Sequence, residues 1–469
     1  MTGITLEPMT RIEGHITVRI ELDEAGNVTS VNTTFPELRG FETFLIGRHI
    51  TRVPFIVPRI CGVCPTPHHL ASVKAIECGL EIEAPKTAEL LRELMLMGGT
   101  IHDHALHLLV LAGPDMLLAD LPHEKRGLPE LLKRYPELVR ELMKVRSFGQ
   151  DLVALLGVQA THPCSATPGG IMKGLTKADK DHLLRELGDI KKIVAKWHDE
   201  VVTHFTEFSV KYKDLGAIST NFIALTKEGS LEFYEGVSRI LSSNGEVISE
   251  FPPMNYLKEV AEQTVEYCYA KRCYLRKLGP VNGIYRVGPL ARVNVANRAA
   301  GELSNEYLRE FKKVFGNPSQ TTLSYNIARY ICLVHAIERA EELLTDERIT
   351  GRDTMVPIRV KAGEGVGIVE APRGHLIHHY KWDERGYVTQ AVIITPTAMN
   401  FYPIDVSLKD VAIRSIQEGR IDEEKLWHEM GLTIRAYDPC ISCATHIIGK
   451  RGRFRTFKLN RKKVIQMFF

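Results

Sequence analysis

The stretch that decides the fold is Arg59-Ile60-Cys61-Gly62-Val63-Cys64-Pro65-Thr66-Pro67-His68, a Cys-x-x-Cys loop rich in glycine and proline. A second loop of this kind, Asp438-Pro439-Cys440-Ile441-Ser442-Cys443-Ala444-Thr445-His446, lies near the other end of the chain. In such loops two thiolates converge on one metal, and thiolates select soft or borderline metals. The two loops together predict a four-sulfur metal site. Its ligands would be Cys61, Cys64, Cys440 and Cys443.

A structural four-cysteine zinc site is the common use of two such loops and is the first alternative. Zinc sites usually place their cysteine pairs close together, whereas Cys64 and Cys440 are 376 positions apart. A thioredoxin-like redox disulfide is a weaker alternative, because it needs one pair beside a strand–helix unit. The site is therefore expected to join both ends of one domain.

The composition is that of a globular protein, with 44% hydrophobic and 25% charged residues among 469. No basic flank followed by an apolar core opens the chain, and no window approaches the roughly 18 apolar residues of a membrane span. We therefore expect a cytoplasmic protein without a membrane span. Nine cysteines, an odd number, favour metal or redox use over a disulfide framework.

The spacing of apolar residues predicts an α+β fold. Alternation over 4–34 predicts a β-hairpin, and apolar residues three and four apart beyond residue 85 predict a bundle of long helices. From residue 357 onward, strand-like runs that begin with Ile358–Gly363 predict a second β region. We expect a single domain over 1–446, in which a central helical bundle and the N-terminal and C-terminal β regions are brought together at a buried metal site.

The two cysteine loops together resemble the signature of the large subunit of nickel-iron hydrogenases. Further segments share that family's pattern, namely 11–15 (RIEGH), 39–42 (RGFE), 102–104 (HDH), 162–163 (HP), 370–374 (EAPRG) and 395–400 (TPTAMN). The resemblance implies a catalytic subunit that reversibly cleaves H2 into protons and electrons. Cys61 and Cys440 would be terminal nickel ligands, while Cys64 and Cys443 would bridge nickel to an iron that carries carbon monoxide and two cyanides.

The resemblance also implies a pocket for the diatomic ligands of the iron. Pro396 and Thr397, together with Pro372 and the neighbouring Arg373, would surround the cyanides, with the threonine hydroxyl and backbone amides as donors. His68 would hydrogen-bond a bridging sulfur.

Cleavage of H2 releases a proton, which needs a base within reach. By resemblance, Arg373 would lie over the open metal position, flanked by Asp103 and Asp438, and would orient the substrate or act as the base. Glu13 would accept the proton from the thiolate of Cys440. Of the two, Glu13 is the better relay.

A second, redox-inactive ion is implied near the C-terminus. Glu42 resembles a ligand of magnesium, or of iron in its place, together with the imidazole of His446 and a backbone carbonyl near Ile393. Oxygen ligands and several waters suit such a hard cation.

Residues 447–469 hold eight basic residues and no acid, and their removal changes the formal net charge from +3 to −5. A basic tail alone suggests contact with nucleic acid or an anionic surface. In the family that this chain resembles, an endopeptidase cuts after the histidine of the second loop. The tail is therefore expected to be a maturation peptide removed after His446, and no nucleic-acid partner is expected.

The five other cysteines form no ferredoxin-like run, so electrons are expected to leave through an iron-sulfur small subunit docked near the first loop. The resemblance is greatest to the cytoplasmic methyl-viologen-reducing, F420-non-reducing hydrogenases of methanogens. It implies a further electron-transfer subunit or a heterodisulfide reductase, and a part in methanogenesis. Sulfhydrogenases and NAD-reducing enzymes stay open. The competing class is a redox scaffold like the quinone-site subunit of complex I, a relative that lacks the paired cysteines.

Overall fold

The computed structural model describes residues 2–417, 420–445 and 464–465. His446 and most of the basic tail lie outside these residues, so the expected cleavage point falls outside them as well.

An antiparallel sheet opens the chain, formed by Thr2–Leu6, Thr17–Leu22 and Val28–Thr34. Val464–Ile465 from the tail adds to the first strand in parallel. Alternate residues of the second strand are buried, because successive side chains of a strand point to opposite faces. The predicted N-terminal β region is confirmed, and the loop after its first strand carries Glu13 toward the second cysteine loop.

Long helices form the centre of the molecule, as predicted. Lys86–Leu106 packs against Pro136–Gly157 and Tyr325–Thr345, and the last of these packs against Lys177–Trp197. Further long helices are Pro65–Leu80, Thr203–Lys211, Glu302–Phe315, Pro396–Ser415 and Glu423–Tyr437. Shorter α-helices are Phe41–Leu45, Val53–Ile56, Gly113–Leu117, Leu128–Arg134, Tyr256–Glu259, Gly279–Asn282, Pro289–Val295 and Ile441–Ala444.

One stretch of the bundle, Lys86–Leu117, is long and apolar enough to cross a membrane by length and composition. It is not an unbroken apolar run, since it contains His102, Asp103 and His104. Its most apolar window is 72% buried inside the protein. A helix that is apolar all round is typical of the core of a large globular protein as well as of a membrane span, and the burial favours the core here.

A second antiparallel sheet lies near the C-terminus and consists of Gly363–Ala371, Gly374–Trp382 and Val388–Ile394. Of the strand predicted over 358–363, only Gly363 lies in a strand, because residues 358–362 are irregular. The middle strand was not predicted because its three histidines look polar in the sequence. All three are buried and hydrogen-bonded.

Two glycines let this sheet touch the helix that follows the first cysteine loop. Gly365 and Gly367 lie against the backbone of Pro65–Leu80, and a Cβ at Gly367 would stand 2.1 Å from the carbonyl oxygen of Ala71. Only glycine allows backbones to approach this closely. The contact brings the helix and the sheet that carries Arg373 together.

The remaining strands form a mixed sheet, which contacts the helix Pro289–Val295 and the C-terminal sheet, and small ribbons. The mixed sheet consists of Asn221–Lys227, Ser230–Leu231, Val237–Leu241, Val247–Phe251 and Tyr285–Arg286. The ribbons are Ala166–Thr167 with Gly170–Ile171, Val260–Gln263 with Arg272–Leu275, and Ile416–Gln417 with Arg420–Ile421.

Candidate metal centre

The two cysteine loops meet in the interior of the protein. Cys61 Sγ lies 3.3 Å from Cys440 Sγ, and Cys64 Sγ lies 3.6 Å from Cys443 Sγ. Cys440 Sγ and Cys443 Sγ are 2.9 Å apart. All four sulfur atoms lie within 4.8 Å of one another, and all four residues are buried. Thiol groups from opposite ends of the chain therefore surround one point.

Local structure holds each loop in place. Cys64 is the residue before the helix Pro65–Leu80, and Cys440 is the residue before the short helix Ile441–Ala444. The backbone N–H groups of Val63 and Cys64 both donate to Cys61 Sγ, at 3.3 Å. Hydrogen bonds of this kind stabilise the ionised form of a thiol.

The electrostatics of the cluster favour a bound cation. Burial raises the pKa of the Cys440 and Cys443 thiols well above the usual range. Hydrogen bonds from Cys440 and Cys443 instead hold the pKa of Cys61 well below it. All four thiols could be ionised together at this buried point only if a positive charge compensated them. A four-sulfur donor set fits a soft or borderline metal.

Arg373 lies in the turn before the strand Gly374–Trp382 and is almost fully buried. Its two terminal nitrogens donate to different carboxylates, to Asp103 Oδ2 at 3.0 Å and to Asp438 Oδ1 at 3.1 Å. Burial alone lowers the pKa of Arg373, but the two carboxylates hold it well above the usual range. The guanidinium is therefore a fixed positive charge at the cluster.

The carboxylate of Asp438 has a second cationic neighbour that the sequence did not reveal. Arg329 Nη1 donates to Asp438 Oδ2 at 3.4 Å, and both side chains are completely buried. Burial raises the pKa of Asp438, and Arg373 and Arg329 oppose this. The two arginines thus share one carboxylate and keep it in a single orientation.

Glu13 contacts the second cysteine loop through Ser442, the residue between its two cysteines. Ser442 Oγ donates to Glu13 Oε1 at 2.5 Å, and the backbone N–H of Ser442 donates to Glu13 Oε2 at 3.0 Å. The same hydroxyl lies 3.7 Å from Cys440 Sγ. Glu13 is half-buried, so the hydroxyl lies between the thiol of Cys440 and a carboxylate closer to solvent. Sequence reasoning missed Ser442.

The residues proposed for the diatomic ligands lie beside the two loops. Thr397 Oγ1 accepts a hydrogen bond from the backbone N–H of Cys440 at 2.9 Å, and Pro396 begins the helix that holds this threonine. Pro372 lines a cavity of about 30 Å³ together with Cys64. The threonine therefore orients the backbone of the second cysteine loop.

His68 lies against the cluster, with its Nε2 3.5 Å from Cys443 Sγ. Its Nδ1 faces His378 Nε2 at 3.0 Å, and His378 Nδ1 is hydrogen-bonded to the hydroxyl of Tyr380. The contact of His68 with a cysteine sulfur was expected, whereas the hydrogen bonds of His68 to His378 and of His378 to Tyr380 were not.

Glu42 is largely buried, and burial raises its pKa. Glu42 Oε1 accepts a hydrogen bond from the backbone N–H of Ile393 at 2.8 Å, so the amide of this residue, and not its carbonyl, contacts the carboxylate. Lys271 Nζ lies 3.9 Å from Glu42 Oε2. His446, the other expected ligand, lies outside the described residues. The carbonyl oxygen of the preceding Thr445 accepts a hydrogen bond from the backbone N–H of Arg39 at 3.4 Å, three residues before Glu42.

Comparisons with known sequences agree with this geometry. A family model described as nickel-dependent hydrogenase matches residues 39–118 and 224–446, and one described as HoxL-like matches 3–38. A vhu-type subunit of the F420-non-reducing hydrogenase of Methanocaldococcus jannaschii is 42% identical over 88% of this chain and 99% of its own length. The corresponding F420-non-reducing hydrogenase subunit of Methanothermobacter thermautotrophicus is 38% identical over 98% of both chains.

Solved structures give the same result. An NAD+-reducing [NiFe]-hydrogenase in the H2-reduced state has a TM-score of 0.90 and 33% identity, covering 95% of this chain and all of its own. A [NiFeSe]-hydrogenase from Dm. baculatum shares the fold, with a TM-score of 0.77 and 23% identity over 95% of this chain and 99% of its own. The chain therefore belongs to the nickel-dependent hydrogenase family as a large subunit, and it is an oxidoreductase that acts on H2.

Proposed function

We propose that this chain is the catalytic subunit of a nickel-iron hydrogenase, which cleaves H2 heterolytically and reversibly and passes the electrons to an iron-sulfur partner. The observation that supports this most is the convergence of four buried cysteines within 4.8 Å of one another beside a fixed guanidinium. A structural zinc site explains the sulfur atoms, but it does not explain a buried arginine held between two carboxylates at the same place.

The thiolates of Cys61 and Cys440 would be terminal ligands of nickel, and those of Cys64 and Cys443 would be shared with iron. When bound, this metal pair supplies a redox-active centre at which H2 is activated, and thiolate donors suit both metals. Thr397 and the turn at Pro372 would face the carbon monoxide and the two cyanides of the iron. This is supported by the contact of the Thr397 hydroxyl with the backbone of Cys440 and by the cavity that Pro372 lines together with Cys64.

Arg373 would orient the substrate and not remove its proton. Its guanidinium keeps its proton because Asp103 and Asp438 hold its pKa well above the usual range. A planar guanidinium bonded at both ends has one orientation, so its charge stays directed at the cluster.

The proton would leave through Cys440, Ser442 and Glu13. A proton held at Cys440 Sγ has the hydroxyl of Ser442 3.7 Å away, and this hydroxyl is already bonded to Glu13 Oε1 at 2.5 Å. The hydroxyl donates one proton as it accepts another, so the carboxylate of Glu13 gains the proton while the serine is unchanged. Glu13 is half-buried and can release it outward.

A hard cation, magnesium or iron, would bind at Glu42, with the carbonyl of Ile393 and the imidazole of His446 as further ligands. The buried carboxylate of Glu42 supports this, because a cation stabilises its charge and burial alone does not. The hydrogen bond from the backbone N–H of Arg39 to the carbonyl oxygen of Thr445 also supports this, because it joins the segment before His446 to the segment before Glu42.

Residues 1–446 would form the mature domain, and an endopeptidase would remove 447–469 after His446. The pairing of Val464–Ile465 with Thr2–Leu6 supports a tail that docks on the N-terminal sheet before it is removed. Mass spectrometry of the mature protein tests this, because cleavage predicts a chain that ends at His446.

The iron-sulfur subunit would dock on a basic surface around a cavity of about 730 Å³ beside the first cysteine loop. We call this the docking surface, and it consists of Arg39, Phe44, Arg48, Arg52, Phe55 and Arg59. All four arginines are exposed, and Phe44 is 51% exposed. Arginine and aromatic residues are enriched at protein interfaces, and the charge predicts an acidic rim on the partner.

Names of relatives support this arrangement. Relatives are named as subunits of F420-non-reducing hydrogenases and of an NAD-reducing hydrogenase, and one of them is named as an iron-sulfur subunit. We infer a cytoplasmic complex with a further electron-transfer subunit or a heterodisulfide reductase, acting in methanogenesis and not reducing F420.

The direct test is H2-dependent dye reduction by the purified mature complex, combined with metal analysis. The proposal predicts nickel and iron in the protein and reduction of methyl viologen only when H2 is present. Zinc without nickel, and no reduction under H2, would support the structural zinc alternative.

A further inference from the structure

One strand of the C-terminal sheet supplies a line of hydrogen-bonded side chains that ends at the metal centre. His378 and Tyr380 are two residues apart on Gly374–Trp382 and therefore point to the same face of the sheet. His378 Nε2 lies 3.0 Å from His68 Nδ1, and His68 Nε2 lies 3.5 Å from Cys443 Sγ. All three side chains are buried, with at most 2% of each residue exposed.

The thiolate of Cys443 at the end of this line determines which atom donates in each hydrogen bond. A metal-bound thiolate carries no proton, so Cys443 accepts and His68 must donate from Nε2. In a ring with one proton the other nitrogen is an acceptor, so His68 Nδ1 accepts from His378 Nε2–H. By the same reasoning His378 Nδ1 accepts from the hydroxyl of Tyr380. Burial raises the pKa of Tyr380, which keeps this hydroxyl a donor.

We propose that His378 and Tyr380 are positioning residues that hold the imidazole of His68 with its Nε2–H directed at the sulfur of Cys443. The inference rests on the proposed role of Cys443 as a metal ligand. Each donor in the line polarises the next, so the bond to sulfur is stronger than one from an isolated imidazole. A donor at a thiolate draws electron density away from it and thereby tunes the metals that it binds.

Variants at two positions separate this role from simple packing. Tyr380→Phe removes the first donor and keeps the ring. His378→Leu removes both hydrogen bonds, whereas His378→Gln keeps an N–H donor for His68. Tyr256→Phe is the matched control, because the hydroxyl of Tyr256 bonds to His379 Nδ1 at 2.8 Å on the opposite face of the same strand.

The first measurement is ¹⁵N NMR of the purified complex labelled in its histidines. We expect His68 with a protonated Nε2 and a bare Nδ1 in the wild type and in Tyr256→Phe, and in Tyr380→Phe an Nε2 resonance shifted toward that of a weaker hydrogen bond, because one donor of the line is gone. The second is turnover with H2, which should fall about 10-fold in Tyr380→Phe and His378→Leu and recover in His378→Gln, since loss of a partner behind a metal ligand has effects of this size.

Two outcomes overturn the inference. One is a wild-type His68 that is protonated at Nδ1 or at both nitrogens. The other is an equal effect of Tyr256→Phe and Tyr380→Phe, which would show that packing of the strand is responsible. If His378→Leu does not fold, the NMR and turnover measurements on Tyr380→Phe and His378→Gln still test the inference. Nickel content and H2-dependent turnover of the wild type test the proposed function separately, because both are measured without any variant of His378 or Tyr380.

Discussion

Glu13 and Cys440 are paired through their backbones, as neighbouring residues of a parallel β-bridge. The backbone N–H of Ile441 donates to the carbonyl oxygen of Glu13 at 3.1 Å. A loop from the N-terminal sheet is thereby fastened to the second cysteine loop at the point where the thiol of Cys440 lies. The proposed proton acceptor and the proposed metal ligand cannot move apart without breaking this bridge.

Glu13→Gln should retain nickel but lose turnover, because the amide oxygen of glutamine can still accept from the backbone N–H of Ser442 but the side chain cannot accept a proton. We expect at least about a 100-fold loss of H2-dependent dye reduction, the lower range for a general acid–base group. Glu37→Gln is the control, since Glu37 bonds to the exposed His15. Normal turnover of Glu13→Gln would remove Glu13 from the relay.

Cys440→Ser should abolish nickel incorporation and activity, because a serine oxygen is a poor ligand for a soft metal. Metal analysis of the purified chain is the measurement. Cys78→Ser provides the comparison, since Cys78 is exposed and outside the cluster. A Cys440→Ser chain that still binds nickel and cleaves H2 would contradict the assignment of the ligand.

Arg373→Lys should keep the metals and reduce turnover by about 100-fold, the effect of removing one preorganised charged donor. Lysine keeps the charge, but one ammonium group does not reproduce the two separate bonds to Asp103 and Asp438. Arg339→Lys is a suitable control, because Arg339 makes two bonds to Glu93 in a partly exposed pair. Equal activity of the two variants would argue that only charge matters at Arg373.

Arg52→Glu on the docking surface should weaken binding of the iron-sulfur partner and make it more sensitive to salt, without loss of nickel. Co-purification at low and high ionic strength measures this. Arg140→Glu, at an exposed arginine elsewhere, should have no effect. If both variants assemble normally, the partner docks on another surface.

The sequence predicted the parts of the site that carry a recognisable donor pattern. The four cysteines could be predicted because Cys-x-x-Cys spacing is itself typical of metal-binding loops. Arg373, Asp103 and Asp438 could be named because their segments resemble a known family. The contact of the two carboxylates with one guanidinium is now visible in the structure.

Residues that act through tertiary contact left no such signal. Ser442 looks like a spacer between two cysteines, and its bond to Glu13 spans 429 positions. The strand with His378 was overlooked because buried histidines look polar, although hydrogen bonds satisfy them in the core. Lys271 beside Glu42 was also missed, because no local sequence pattern links residues so far apart in the chain.

X-ray absorption at the nickel edge of the purified mature complex tests the central claim most directly. We predict nickel bound by sulfur donors with iron as a near neighbour, and loss of this signal in Cys440→Ser. Absence of nickel, or nickel surrounded by nitrogen and oxygen donors alone, would contradict a metal centre formed by Cys61, Cys64, Cys440 and Cys443.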